Sequence, residues 1–248
     1  MKKAFCISKE YPLKINRIMK DLIILGAGGA AFEIVEIVNY INALKPEWNI
    51  IGYLDDNKQL INTKKFNITI IGTISDAGKF PDAFFVSSIG HPDRPELRKE
   101  VRNRIPFTDD RFATIIHPNT IVYDSANIGF GCVIYNNCTI SSKSRVGNDV
   151  LIAYGSILGH ESTIGDNTIV GASVTIPSDV HIGNSVYIGP GVIFKNEIVI
   201  GNNVLIGIGS IVIESVGNDK KYMCHIRPFT YPLDDKIPYH FDYLNSIQ

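Results

Sequence analysis

His160 is followed directly by Glu161, and no other histidine in the chain has a carboxylate beside it. Imidazole is the side chain that gains and loses a proton nearest neutral pH. An adjacent carboxylate can take the proton on one ring nitrogen and leave the other as a general base. His117 lies in a His-Pro dipeptide that reads as a structural turn, and His91 stands beside Gly90, where it is a secondary candidate for lining a ligand site. Cys224–His225 has no spaced partner, so no metal ligand set is expected. No residue near His160 reads as an activated nucleophile; Tyr154 and Ser156 read as wall residues.

A second group lies near the start of the chain. Residues 26–31 read GAGGAA, which matches only part of the dinucleotide fingerprint because Ala31 stands where its third glycine belongs. Two readings of the turn stay open. It is a tight strand-to-helix turn that binds nothing, or a helix N-terminus whose free N–H groups at Gly28, Gly29 and Ala30 receive an anion such as a phosphate. Asp55–Asp56 at the end of the next apolar run favours the second, because ligands of open α/β sheets sit at the carboxyl ends of strands and a carboxylate accepts from ribose hydroxyls or base N–H groups. Gly90, closing a further strand, would let a ligand approach the backbone. The segment is too short for a full dinucleotide site, so a mononucleotide moiety fits better than NAD.

Two different textures position these residues. DLIILGAGG (21–29) is an apolar strand running into the glycine turn, followed by a helix with Phe32, Val35, Val38 and Ile41 at helical spacing. Further strands are expected over 49–55, 83–88 and 112–116, with a charged helix over 96–102. Strand and helix in alternation indicate a small parallel α/β sheet, a Rossmann-like domain over residues 21–116.

From Ile116 the period changes to six. Every sixth residue through Val212, seventeen in all, is large and apolar, a run with a chance of roughly one in a million at 45% apolar composition. The residue after this anchor is Gly in nine of the seventeen hexads, and the next is often Asn or Asp, as at Asn148, Asp166, Asn184 and Asn202. A period of six reads as a parallel β-helix, here over residues 117–214, with one inward side chain per hexad and corners turned by Gly or Asn at positive φ. Residues 1–20 are an extension, and 215–248 a divergent tail.

Lys plus Arg number 24 against 25 Asp plus Glu, so no charge excess argues for nucleic acid or an anionic membrane. No apolar run approaches the ~20 residues of a membrane helix. Lys9, Glu10 and Lys14 interrupt the opening segment, which argues against a signal peptide. Cys6, Cys132, Cys138 and Cys224 are scattered and read as free thiols of a cytoplasmic protein.

A truncated nucleotide-binding domain followed by hexapeptide repeats resembles the sugar acetyltransferases of the sialic acid O-acetyltransferase type. Their relatives include bacterial enzymes acting on nucleotide-linked 4-amino-4,6-dideoxy sugars. The likeness covers about residues 21–214 and is carried by LIILGAGGAA, GYLDDN, FFVSSIG, TIIHP and SILGHESTIGDN. It implies a left-handed β-helix of three hexads per coil, a homotrimer, and acetyl-CoA between neighbouring β-helices. The implied cofactor contacts are Ile169, Gly189, Pro190, Gly207 and Ile208. It also implies His160 as general base with Glu161 orienting it, direct transfer in a ternary complex, and a nucleotide sugar held at Gly28, Gly29, Ala30, Asp55, Asp56 and Gly90. The expected role is in surface glycan biosynthesis, with no metal.

The chain departs from the pattern of those relatives at three positions. Ala30 replaces a histidine of the glycine turn, Ile169 a second histidine nine residues past His160, and Ala153 an asparagine seven residues before it. These departures point to a changed acceptor or acyl donor. Two rival readings are an O-acetyltransferase of a free or polymer-linked sugar and a non-catalytic trimeric scaffold.

Overall fold

The computed structural model describes residues 19–223 apart from 93 and 95. The segment 1–18 and the tail from 224, with Cys6, Cys224, His225 and His240, lie outside the described residues. The first body contains β1 (Lys20–Leu25), α1 (Gly29–Leu44), β2 (Trp48–Leu54), β3 (Lys64–Lys65), β4 (Ile68–Gly72), β5 (Phe84–Ser87) and α2 (Leu97–Asn103), with sheet order β3-β4-β2-β1-β5. β1 pairs in parallel with β2 and β5, and β2 with β4; the short β3–β4 hairpin is antiparallel. Periodicity did not reveal that hairpin. Its turn places both Phe66 (φ 52°) and Asn67 (φ 63°) in the left-handed region, which suits asparagine and strains phenylalanine. Phe66 is held there by stacking on Phe32, ring centroids 4.4 Å apart. Phe32 is therefore exposed, contrary to its helical spacing, and α1 buries Ala31, Ile34, Val35, Ile37 and Val38 instead.

The segment 112–116 does not finish the α/β sheet. Phe112 makes a lone bridge to Phe85, while Ile115–Ile116 is β6 and pairs with Val133–Ile134 of the second body. That body is the β-helix. Each of the seventeen anchors is the second residue of a two-residue strand, from β6 to the strand Ile211–Val212. Thr139 pairs with Ile157 and Ile140 with Leu158, so one coil is 18 residues and three hexads. The anchors point inward from Ile134 onward, and so does the residue four further on, including Cys132, Val174 and Val186. Each hexad thus buries two side chains where one was expected. Hydroxyls in this second column are satisfied: Ser156 donates to the Gly171 carbonyl (2.9 Å) and accepts from the Val174 amide (3.1 Å). Cys132 and Cys138 are buried free thiols in the same column, and burial pushes Cys132 up to about 12.

The corners work differently from the sequence expectation. Positive φ falls three residues past the anchor, at Asn137, Asp149, Glu161, Asn167 and Asn203 among others, not at the glycine one past it. That glycine is required by close approach: a Cβ on Gly165 would lie 2.6 Å from the Gly183 carbonyl one coil up. The Asn or Asp two past the anchor forms a ladder. Asp166 Oδ1 accepts from the Asn148 amide, Asn184 Oδ1 from Asp166, Asn202 Oδ1 from Asn184 and Asn218 Oδ1 from Asn202, each at 2.7 Å. The last coil is shortened. Val216 bridges to Ile200 and β23 (Lys221–Tyr222) pairs with Leu205–Ile206, so coiled structure continues past residue 214.

The β-helix has three faces. One carries Ile115, Val133 and Leu151 outward, and these are buried against α1 and β1. A second presents Ile121, Ile157, Ile193 and Ile211, all 46–60% exposed. The third presents Asn127, Arg145, Thr163 and His181. Arg98 of α2 is fully buried between the bodies; its Nε donates to the Asp149 carbonyl (2.8 Å) and its Nη1 to the Ile89 carbonyl (2.6 Å). Arg102, lying over the Phe112 ring, reaches the Asp149 carboxylate at 3.5 Å. Burial nonetheless pushes the Asp149 carboxyl up to about 6, against the pull of Arg102 and Arg98.

Two outcomes follow for stability. Gly165→Ala should lower it by about 1–3 kcal/mol in urea unfolding, because the coil above must shift to admit the methyl. Asp149 has a folded pKa above its ordinary 3.8, so the folded state binds the extra proton and this group's contribution declines as pH rises through 6. The stability advantage of Asp149→Asn over the wild type should therefore grow by about 2 kcal/mol between roughly pH 4 and 7.

Candidate functional site

The glycine turn is fastened from both flanking strands. Asp55, just past β2, accepts from the Ala27 amide through Oδ2 (2.9 Å) and from the Asn57 amide through Oδ1 (2.9 Å). Ser88, past β5, donates to the Leu25 (2.9 Å) and Gly26 (3.1 Å) carbonyls, and Lys65 Nζ donates to the Ala27 carbonyl (3.1 Å). No side chain caps α1, which leaves its first N–H groups pointing out of the turn. A cavity of about 440 Å³ opens there, at the carboxyl ends of the parallel strands. Gly28, Gly29, Ala30, Asp55, Asp56 and Gly90 all line it. The six residues that sequence reading put on the nucleotide-sugar side therefore share one site.

α2 supplies the other wall, with Leu97, Glu100, Val101 and Arg104, which the sequence reading missed. A charged seven-residue helix carries no signal of which residue will face a cavity. Arg104 grips Asp56 with both terminal nitrogens, at 2.6 and 2.9 Å, and holds its carboxyl below the usual carboxylate range.

A second cavity of about 230 Å³ adjoins the first, sharing Ala30, Ser88, Ile89 and Gly90. It is floored by the domain-facing side of the β-helix through Tyr135, Leu151, Ala153, Ile169 and Tyr187. Ala30, Ala153 and Ile169, the three departures from the relatives' pattern, thus line a single cavity. A Cβ on Gly90 would collide with the Ile169 side chain. Tyr135 meets Tyr154 edge to face at 4.7 Å; burial and a bond to the Glu33 carboxylate raise the Tyr154 hydroxyl pKa above its ordinary value. His91 is exposed beside Gly90 and lines neither cavity.

His160 is elsewhere. It occupies the corner after Ile157–Leu158, where the apolar face meets the polar one, and its side chain is 56% exposed. Nδ1 lies 3.4 Å from Glu161 Oε2, and Glu161 Oε1 is 2.9 Å from Lys143 Nζ one coil below. Lys143 first, and His160 second, hold the Glu161 carboxyl below its ordinary range. Glu161 adopts φ 60°, like the equivalent corner residues Asn167 and Asp179. The expected cofactor residues divide. Gly189–Pro190 and Gly207–Ile208 follow Tyr187–Ile188 and Leu205–Ile206, at the opposite edge of the apolar face from His160, with Ile208 74% exposed. Ile169 lies in the second cavity instead. One chain does not bring His160 to either cavity. His117 packs its ring tilted against Tyr40, centroids 4.6 Å apart, and accepts from the Asn119 amide, as a structural turn would. Among the described residues no group of three or more His, Cys, Asp or Glu is placed to hold a metal, and no helix is long and apolar enough to cross a membrane.

Comparison with known proteins divides the chain in the same way. Residues 21–105 match the PglD N-terminal domain, and residues 143–178 and 161–196 match the bacterial transferase hexapeptide (six repeats). UDP-N-acetylbacillosamine N-acetyltransferase of Bacillus subtilis (strain 168) is 30% identical over 115 residues, 46% of this chain and 50% of that protein. The match thus spans about half the length of this curated relative. The acetyltransferase domain of PglB from Neisseria gonorrhoeae FA1090, solved with acetyl coenzyme A, superposes with a TM-score of 0.73 at 18% identity, covering 83% of this chain and 97% of that one. PerB from Caulobacter crescentus, solved with CoA and GDP-perosamine, gives 0.69 at 18% identity over 84% and 95%. A region matching the PglD N-terminal domain is thus followed by a β-helix whose coils match the transferase hexapeptide repeats and whose fold is that of these solved acetyltransferases.

Asp55 and Asp56 should separate in mutagenesis. Asp55→Ala orphans two backbone amides and should lower stability by about 1–2 kcal/mol in urea. Asp56→Ala breaks a half-exposed ion pair and should change it by less than about 1 kcal/mol.

Proposed function

We propose that the protein transfers an acetyl group from acetyl-CoA to an amino or hydroxyl group of a nucleotide-linked sugar, as a homotrimer in the cytoplasm, in glycan biosynthesis. The observation that carries this reading is the separation of the two halves of the site. The six nucleotide-side residues converge on one cavity, while His160 stands at an exposed corner that the same chain leaves without a partner wall. Ile121, Ile157, Ile193 and Ile211 run as an exposed apolar stripe between the His160 corner and the Gly189–Ile208 corner. Covering that stripe with the next copy around a threefold axis would join one copy's His160 edge to its neighbour's Gly189–Ile208 edge. The second cavity, which includes Tyr187 two residues before Gly189, then lies where acceptor and donor meet. The names of the relatives, an N-acetyltransferase of a UDP-sugar and structures bound to CoA and GDP-perosamine or acetyl-CoA, support the same assignment.

The thioester supplies the acetyl group, and the chain's own residues handle protons and position. The glycine turn receives the diphosphate at the α1 N-terminus. With Nδ1 toward Glu161, the Nε2 of His160 faces outward and takes the proton from the attacking amine or hydroxyl as the new bond to the acetyl carbon forms; the thioester C–S bond then breaks and the leaving sulfur takes that proton as free CoA departs. Glu161, anchored by Lys143, fixes the ring and supports its positive charge in the transition state.

His160→Ala should lower kcat by about 10²–10⁴, as loss of a positioned acid–base group does, with the oligomer intact in sedimentation; wild-type turnover on a confirmed substrate would place the base elsewhere. Replacing both Ile157 and Ile193 by Asp should yield monomers that still bind nucleotide but no longer release CoA. A trimeric, fully active double variant would contradict the shared site.

A further inference from the structure

Most charged groups in the first cavity are already committed. Both oxygens of Asp55 hold backbone amides, and Glu100 accepts from Arg94 at 2.7 Å. Asp56 and Arg104 form a fixed pair with capacity left over. Arg104 Nη2 also donates to Ser75 Oγ (3.0 Å), and Asp56 Oδ1 also accepts from the Ile74 amide (3.3 Å). What remains is a lone pair on Asp56 Oδ2 and two of the five Arg104 N–H groups, one on Nη1 beside that oxygen and one on Nε, on a pair with side chains 49% and 39% exposed. Ile74, Leu97 and Val101 give the cavity an apolar wall at the same end.

Charge decides which part of a ligand belongs here. The lining residues include three acids, Asp55, Asp56 and Glu100, and one base, Arg104. With Asp56 paired to Arg104 and Glu100 to Arg94, that end offers no free positive charge to a diphosphate, whose place is the uncapped α1 N-terminus with Lys65 close by. It suits instead a flat, neutral group that presents both a donor and an acceptor and has an apolar face. A nucleobase meets all of these conditions. A guanidinium locked by a bidentate carboxylate also offers a rigid plane for stacking, which a lysine would not.

We propose that Asp56 and Arg104 together form the base-reading element of the nucleotide site: Asp56 Oδ2 accepts a base N–H, and Arg104 donates to the adjacent carbonyl or ring nitrogen. This rests on the nucleotide-sugar reading above and deepens it, because Arg104 becomes a specificity residue and the diphosphate is left to the glycine turn.

The test is calorimetric titration of the intact protein with UDP, dTDP, GDP and inorganic diphosphate, on the wild type, Arg104→Lys and Asp56→Asn, each checked for an unchanged oligomer. The preferred nucleoside diphosphate should bind about tenfold or more weakly to both variants, while inorganic diphosphate binds all three proteins equally. An equal loss for inorganic diphosphate would make Arg104 a phosphate ligand and overturn the proposal. Unchanged nucleotide affinity in both variants would reduce the pair to a surface ion pair and overturn it as well. A wild type that binds none of the three nucleotides yet acetylates a free sugar would refute the nucleotide-sugar reading itself, and the base-reading element with it.

Discussion

Each coil of the β-helix must sit one strand spacing, about 4.8 Å, above the coil below it. Nearly everything in the second body answers to that distance. It leaves no room for a Cβ one residue past the anchor, so glycine recurs there, as Gly165 does beneath Gly183. It brings each Asn or Asp side chain within reach of the amide one coil down, so Asn148, Asp166, Asn184 and Asn202 bond in sequence along the edge. It also lets an inward serine tie two groups of the coil above, as Ser156 does by donating to the Gly171 carbonyl and accepting from the Val174 amide. Two-residue strands could not hold a sheet alone; these do because every corner is also tied.

The same stacking leaves the His160 side chain unburied at its corner. In the hexad frame His160 is equivalent to Asn148 and Asp166, yet it lies on a different edge, where Ser142 and Ser178 stand below and above it and the Asn/Asp-to-amide ladder is replaced by an Asn196–Ser178 side-chain bond (2.8 Å) above. The stack is held there by backbone bonds, Glu161 to the Ser142 carbonyl (3.1 Å) and Asp179 to the His160 carbonyl (3.3 Å). The imidazole is left exposed and aimed by Glu161, whose own position is set by Lys143 from the coil below. Rigid backbone with a free side chain is what the base role proposed for His160 requires.

Arg98 couples this rod to the α/β body. Two nitrogens of the fully buried guanidinium, Nη1 and Nε, meet the Ile89 and Asp149 carbonyls, one from each body, while Nη2 is buried without a hydrogen-bond partner. The first of these fixes the backbone just before Gly90, where the two cavities join, so the interdomain contact also shapes both cavities. Ile115, Val133 and Leu151 complete the contact by burying one face of the β-helix.

The hexad period, the glycine turn and the His160–Glu161 pair were legible in the sequence, because spacing along the chain encodes stacking and turning. The period located all seventeen strands, and the placement of glycines and acids at strand ends anticipated the residues lining the first cavity. Three kinds of fact had no such signal. Why the corner glycines are glycine, and where φ turns positive, depends on a neighbour 18 residues away. That Ile115–Ile116 belongs to the β-helix, and that Phe32 lies outside the core, was decided by which partner each segment found. That Arg104 would close on Asp56, and that Ala30, Ala153 and Ile169 would meet in one cavity, required two bodies to pack. A repeat is written in one dimension and can be read there. A cavity is formed by side chains from distant segments, and its composition exists only once they are brought together.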